Sequence, residues 1–208
     1  MLDIDTLNAE QRKAVECING PLLVLAGAGS GKTKVLTYRI AYMLEQGISP
    51  WQILAITFTN KAATEMRDRL GVLVGPDARS MWVSTFHSMC VRILRQNAER
   101  VGFSQNFTIY DDDDSKRLVK DIMAELNIDP KRWPINAIRN RISGAKNELV
   151  LPHEFIANAK DPLGKIAGRV YERLLERLRM ANAFDFDDLL LFTYLLFKQN
   201  YDVLEAYQ

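Results

Sequence analysis

The chain has 208 residues, 48% hydrophobic and 25% charged, a globular composition that excludes disordered and fibrous classes. Its longest apolar runs, such as residues 189–197, fall well short of the ~20 residues a membrane span needs, and the acidic start Met1-Leu2-Asp3-Ile4-Asp5 is unlike a secretory signal. With 27 Lys plus Arg against 26 Asp plus Glu the net charge is +1, which neither demands nor excludes nucleic acid, and two cysteines with two histidines cannot build a zinc-finger or zinc-ribbon site. A reducing, cytoplasmic chain without structural metal or membrane partner is the expectation.

In chain order, Leu22-Leu23-Val24-Leu25-Ala26 is a continuous apolar run ending in glycines, the pattern of a strand buried on both faces. A helix is predicted over 33–45, with Val35, Leu36, Ile40 and Met43 on one face. Residues 53–58 read as a second buried strand, 61–73 as a helix, 82–85 as a short strand, 86–100 as a helix and 107–110 as a fourth strand. Strands alternating with helices predict an α/β fold with a parallel sheet covered on both faces. From Asp111 onward only helices are predicted, over about 115–126, 135–147, 152–159, 163–180 and 185–198. A helical subdomain inserted into or appended to the α/β part is the expected organisation.

The segment Ala26-Gly27-Ala28-Gly29-Ser30-Gly31-Lys32-Thr33 sits between a predicted strand and a predicted helix, where a phosphate-binding loop must be. Glycines let backbone N–H groups converge on phosphate oxygens, and the helix N-terminus adds its positive end. Lys32 is placed to reach the β/γ-phosphates and the Thr33 hydroxyl to ligate Mg²⁺. The general pattern opens with Gly where this chain has Ala26. A tight glycine turn alone leaves the Gly-Lys-Thr unexplained. Hydrolysis also needs carboxylates for the metal and the attacking water. Asp111, after the strand at 107–110, has the right polarity, yet Asp111 to Asp114 also reads as a helix N-terminus favoured by the helix dipole. The acids of Phe184-Asp185-Phe186-Asp187-Asp188 precede an apolar run and read as the start of a helix.

Several segments together resemble the UvrD/PcrA/Rep helicases of superfamily 1. They are Leu7-Asn8-Ala9-Glu10-Gln11, the phosphate loop, Ile53 to Ala63 with Glu65-Met66-Arg67, Ser84-Thr85-Phe86-His87-Ser88, Ser143 to Glu148, and Asp185 to Leu189, in the family's order. The resemblance implies part of a RecA-like P-loop domain over 1–110, a helical insertion over 111–184, and a return helix over 185–208. It demotes Asp111, because that strand in the family leads into the insertion. It also implies that the Asp-Glu pair of motif II lies beyond the Phe184–Leu189 segment. None follows before Gln208, so an N-terminal portion that does not turn over ATP by itself is expected, with further helicase domains in cis.

The resemblance implies ATP and Mg²⁺ as cofactors and single-stranded DNA and single-strand/duplex junctions as partners. Gln11 would read adenine through its amide, while Asn8-x-x-Gln11 could equally be a capped helix start. Lys34 stands where relatives often carry Arg near the base. Phe58, Thr59, Asn60 and Lys61 would contact the strand, by ring stacking and by phosphate contacts. Their structural alternative is a core Phe followed by a helix cap. Thr85, Phe86 and His87 carry the same implication. Residues 131–148 hold five cations against Glu148 alone, a solvated helix face or a DNA grip, with Lys146 and Asn147 the preferred pair. A nucleotide- or DNA-binding module without turnover is the rival reading. A small-molecule phosphotransferase would leave Phe58 to Lys61 and Thr85 to His87 without a task.

Overall fold

The computed structural model describes residues 2–208, and the chain divides after Phe86 into two compact units. In the first, helix α1 (Ala9–Glu16) starts on a capping box: the Asn8 side chain accepts from Gln11 N at 2.9 Å, and Gln11 Oε1 accepts from Asn8 N at 3.1 Å. Helix α2 (Lys32–Glu45) follows the glycine loop, then strand β1 (Leu54–Thr57), helix α3 (Asn60–Val74) and strand β2 (Trp82–Thr85). Strands β1 and β2 pair in parallel, from Leu54 opposite Trp82 to Thr57 opposite Thr85. Ala55 and Val83 from this pair, with Ile53 just before β1, pack with Ile40 of α2 and Met66 and Leu70 of α3. Leu7, Val15 and Val35 join α1 to α2.

One expected strand is not found. Leu22 to Ala26 pairs with no strand among the described residues, and Leu23 and Leu25 are 82% and 86% exposed. An apolar run becomes a strand only when a neighbour takes its N–H and C=O groups, and here β1 pairs with β2 alone.

The second unit holds helix α4 (Phe86–Asn97, its first residue at the boundary), strand β3 (Thr108–Ile109), helices α5 (Asp112–Glu125), α6 (Ile135–Asn147), α7 (Pro152–Asn158) and α8 (Pro162–Met180), strand β4 (Ala183–Phe184), and helices α9 (Phe186–Gln199) and α10 (Tyr201–Tyr207). The predicted helices match these closely, but two features were missed. β4 interrupts what reads as purely helical sequence and pairs in parallel with β3, Thr108 opposite Ala183 and Ile109 opposite Phe184. The second is the break at Asn200, which divides the return helix expected over 185–208 into α9 and α10. The strands are two residues long, too short for any periodicity to mark them.

Phe184 is fully buried between Phe103, Phe107 and Phe192, with ring centroids 4.0, 4.7 and 5.2 Å away. Ile122 of α5, Ile138 and Ile142 of α6, and Val170, Leu174 and Leu178 of α8 form the helical core. The change of sequence pattern at Asp111 lies inside this second unit. No helix of the described residues is long and apolar enough to cross a membrane.

Candidate functional site

The glycine loop of residues 26–31 is built from local turns. Ser30 Oγ donates to Gly27 O at 2.7 Å, and Gly29 and Gly31 adopt φ of +76° and +83°, the left-handed region that favours glycine. Gly31 is also the residue before α2, and a Cβ there would meet Gln11 Nε2 at 2.9 Å. Lys32 Nζ donates to Ala26 O at 3.0 Å and to Gly27 O at 2.6 Å, so the ammonium lies inside the curl of the loop. Thr33 is exposed in the first turn of α2. A curled glycine loop, a helix N-terminus, the Lys32 cation and the exposed Thr33 are groups that could hold a phosphate with Mg²⁺. Ala28, like residues 26–30 as a whole, is exposed.

Gln11 serves two purposes at once. Its Oε1 completes the α1 cap while its Nε2 donates to Ser30 O at 3.0 Å, tying α1 to the loop. The cap alternative for Asn8-x-x-Gln11 is therefore formed, and it holds the amide beside the loop. Lys34 donates to Thr6 O at 2.8 Å and lies 5.3 Å from the Tyr38 ring centroid. A hollow of about 260 Å³ lies beside the loop, lined by Leu22, Val24, Lys32, Val35 and Arg39 among others.

The C-terminal ends of β1 and β2 carry the second group of residues. Phe58 is 90% exposed, which removes the core alternative for it, and its ring centroid lies 5.5 Å from that of Phe86. Thr59 caps α3, its hydroxyl accepting from Ala62 N at 3.1 Å, so the cap alternative holds for Thr59. Asn60 and Lys61 follow in the exposed first turn of α3. Thr85 is buried opposite Thr57 in the strand pair. His87 belongs to the second unit, where its ring faces Phe186 at 5.4 Å.

The basic stretch is not the uniform face its composition suggests. Arg139 pairs with Asp112, and Arg141 with Asp161 at 3.3 Å. Lys146 is 2% exposed and lies 2.6 Å from Asp185 and 2.7 Å from Asp188. This corrects the expectation for Lys146: its charge is enclosed by two carboxylates and is not presented to a phosphate backbone. A count along the sequence misses partners that arrive from 20 to 42 residues away. Asn147 remains exposed, its amide donating to Ser143 Oγ at 3.4 Å, and Lys131 and Arg132 are exposed.

Asp111 caps α5, accepting from Asp114 N at 2.8 Å while Asp114 accepts from Asp111 N, which is the helix-start geometry. Asp185 caps α9 in the same way, with Asp188 as its reciprocal partner. Reading of the sequence did not single out Phe186 or the Lys146–Asp185–Asp188 cluster. The Asp-x-x-Asp spacing before an apolar run was the signal available for the cap, and nothing local signals its pairing with Lys146.

The chain is 49% identical over 203 residues to the ATP-dependent DNA helicase PcrA of Bacillus subtilis, covering 97% of this chain and 28% of that protein. It is 49% identical over 206 residues to PcrA of Staphylococcus epidermidis and 48% to PcrA of Staphylococcus aureus, covering 99% of this chain and 28% of each relative. The chain thus spans under a third of the length of these relatives. The family described as UvrD/REP helicase N-terminal domain matches residues 7–208, nearly the whole sequence, and the chain belongs to it.

Proposed function

We propose that this chain is the ATP- and single-strand-engaging N-terminal portion of an ATP-dependent DNA helicase, with residues 1–110 as part of a RecA-like domain and 111–184 as a helical insertion. The observation that carries the reading is one compact unit holding both a glycine loop closed around Lys32 and an exposed aromatic pair, Phe58 and Phe86, following two parallel strands. The C-terminal ends of parallel strands are where open α/β sheets take their ligands.

In this reading Gln11 reads the adenine edge, Lys34 stands beside the nucleotide, the N–H groups of residues 26–31 hold the phosphates, and Lys32 turns from the loop carbonyls to the β/γ oxygens. Thr33 would hold Mg²⁺, which when bound neutralises phosphate charge. Phe58 and Phe86 offer faces to unstacked bases, Asn60 and Lys61 hold phosphates, and Thr59 fixes the turn that presents them. Thr85, His87 and Asn147 extend the strand contact. The single-strand/duplex junction is the substrate of the whole protein, which steps along one strand as ATP is bound and hydrolysed.

The test is steady-state ATP hydrolysis by the full-length protein with and without single-stranded DNA. DNA-stimulated turnover that Lys32→Ala abolishes, and that Phe58→Ala shifts to higher DNA concentration, is the expected result. Turnover indifferent to DNA, or absent from the full-length protein, removes the reading.

A further inference from the structure

The second unit encloses an ionic cluster that the proposed function does not use. Lys146 of α6 and Asp188 of α9 are 2% and 1% exposed, and Asp185, the residue before α9, is mostly buried. The two carboxylates first satisfy each other's backbone. Asp185 Oδ1 accepts from Asp188 N at 2.9 Å, and Asp188 Oδ2 accepts from Asp185 N at 3.1 Å. Their remaining oxygens face Lys146. Its Nζ donates to Asp185 Oδ2 at 2.6 Å, whereas Asp188 Oδ1, at ion-pair distance of 2.7 Å, lies off the hydrogen-bonding angle and has no hydrogen-bond partner.

The charge does not balance. One ammonium faces two carboxylates in a largely buried site, and a buried excess charge is relieved by binding a proton. Burial pushes the Asp188 carboxyl up, and the neighbouring charge of Asp185 adds to this against the pull of Lys146. Burial also opposes the charge of Asp185, but the charge and hydrogen bond of Lys146 hold that carboxyl below its ordinary value. The two carboxylates therefore differ, and Asp188 is the one that takes the proton.

The other groups around the cluster leave this assignment intact: Arg139 and Asp112, which line the same hollow as Asp185, pair with each other, and Asp111 is committed to the α5 cap. From α8, Tyr171 has its hydroxyl committed to Val150 O at 3.0 Å and its ring 5.8 Å from Lys146 Nζ. From α9 itself comes Asp187, and from α4 His87, whose ring meets Phe186. Of the charged groups on residues 98–101 and on α10, Arg100 and Asp202 pair with each other at 2.7 Å, beyond the C-terminal end of α9, and Glu99 is exposed.

Phe186 is the first residue of α9, directly after Asp185, and is 52% exposed. Whatever moves the Asp185 cap moves this ring. We propose that Lys146, Asp185 and Asp188 form a proton-binding latch between α6 and α9 that sets the orientation of Phe186 against His87. Protonated, the cluster is neutral and the start of α9 is held against α6. Deprotonated, the excess charge loosens the cap and the Phe186 ring turns relative to His87. Lys146 is then a positioning residue. Only the consequence for DNA rests on the proposed strand contact of His87. The latch itself does not.

The experiment is carboxyl-carbon and aromatic NMR of the 208-residue chain, titrated from pH 5 to 9, beside Asp188→Asn. One aspartate carboxyl is expected to titrate near neutrality, and the Phe186 ring signals to move with the same midpoint. In Asp188→Asn that carboxyl step vanishes and the Phe186 signals stay at their low-pH positions. Should that variant fail to fold, His87→Phe decides, since it leaves no imidazole against the Phe186 ring: Phe186 must still move near neutrality. The latch is overturned if every aspartate titrates below pH 5. It is equally overturned if Phe186 is unmoved in the wild type or in His87→Phe, or moves as much in Asp188→Asn as in the wild type. No DNA enters these measurements, so a failure of the helicase reading would leave them unchanged.

Discussion

Lys32 Nζ donates to the carbonyl oxygen of Gly27 at 2.6 Å, so the cation of the phosphate loop is held by the loop's own backbone. A phosphate arriving at the loop offers a charged acceptor in place of a neutral carbonyl, which is the stronger hydrogen bond. Lys32→Ala should lower turnover in the full-length protein by on the order of 10²-fold or more, the scale of losing one positioned donor at developing charge. Steady-state phosphate release measures it, and unchanged turnover would remove the loop from catalysis.

Phe58→Ala should weaken single-strand binding by ~1–3 kcal/mol, the scale of one base stacked on a ring. Because the side chain is 90% exposed, the thermal midpoint should hardly move. Lys61→Ala should instead flatten the salt dependence by about one unit of slope or less. Equilibrium titrations at several salt concentrations separate the two contacts.

Lys146→Met should destabilise the protein by ~3–5 kcal/mol, because it leaves two buried carboxylates without their cation. The pH dependence has a definite sign. Burial and Asp185 push the Asp188 carboxyl up to about 7, so its contribution to stability is complete below the ordinary carboxylate value of ~4 and is lost as pH rises to about 7. The contribution of Asp185, whose value is lowered, is constant over that range above ~5. Denaturant midpoints of the wild type should therefore fall from pH 5 to 8, and those of Asp188→Asn should not.

Gly168 of α8 faces α7 so closely that a Cβ would sit 2.6 Å from Ile156 Cγ1 and 3.6 Å from its Cα. Gly168→Ala should cost ~1–3 kcal/mol by overpacking, despite alanine's better helix propensity. Chemical denaturation checks the sign: stabilisation would mean that α7 moves away freely.

The 208 residues by themselves should show no helicase-like ATP turnover. The carboxylates next to apolar runs, Asp111 and Asp185, are committed to helix caps, and Asp185 and Asp188 to Lys146. A phosphate-release assay beside Lys32→Ala tests this, and robust Lys32-dependent release would return Asp111 to consideration. The exposed Leu23 and Leu25 should also drive self-association, read by sedimentation against a Leu23→Ser, Leu25→Ser variant.

What was legible in the sequence follows from the range of the forces involved. Helices carry their own hydrogen bonds, and α6 has the predicted bounds of residues 135–147. The glycine loop is equally local: Lys32 and Thr33 follow it directly in the chain, and Gln11 reaches Ser30 O. Strands need partners, so the apolar run at Leu22 was read as a strand that the structure does not form, while β4 was missed because its pairing with Thr108 comes from 75 residues earlier. Lys146 failed for the same reason: its fate is decided by carboxylates 39 and 42 residues downstream.

The pairing of β3 with β4 is parallel, and that direction constrains how the helical block between them can vary. Antiparallel neighbours could be rejoined by a two-residue turn, but parallel ones need a crossover of a dozen or more residues to carry the chain back to the starting end. Helices α5 to α8 are that crossover, enlarged. The block can therefore lengthen or shorten at its loops with little entropic penalty, since closure cost grows only logarithmically with length. It cannot be excised to a tight turn without dissolving the Phe184 core that its two ends hold together.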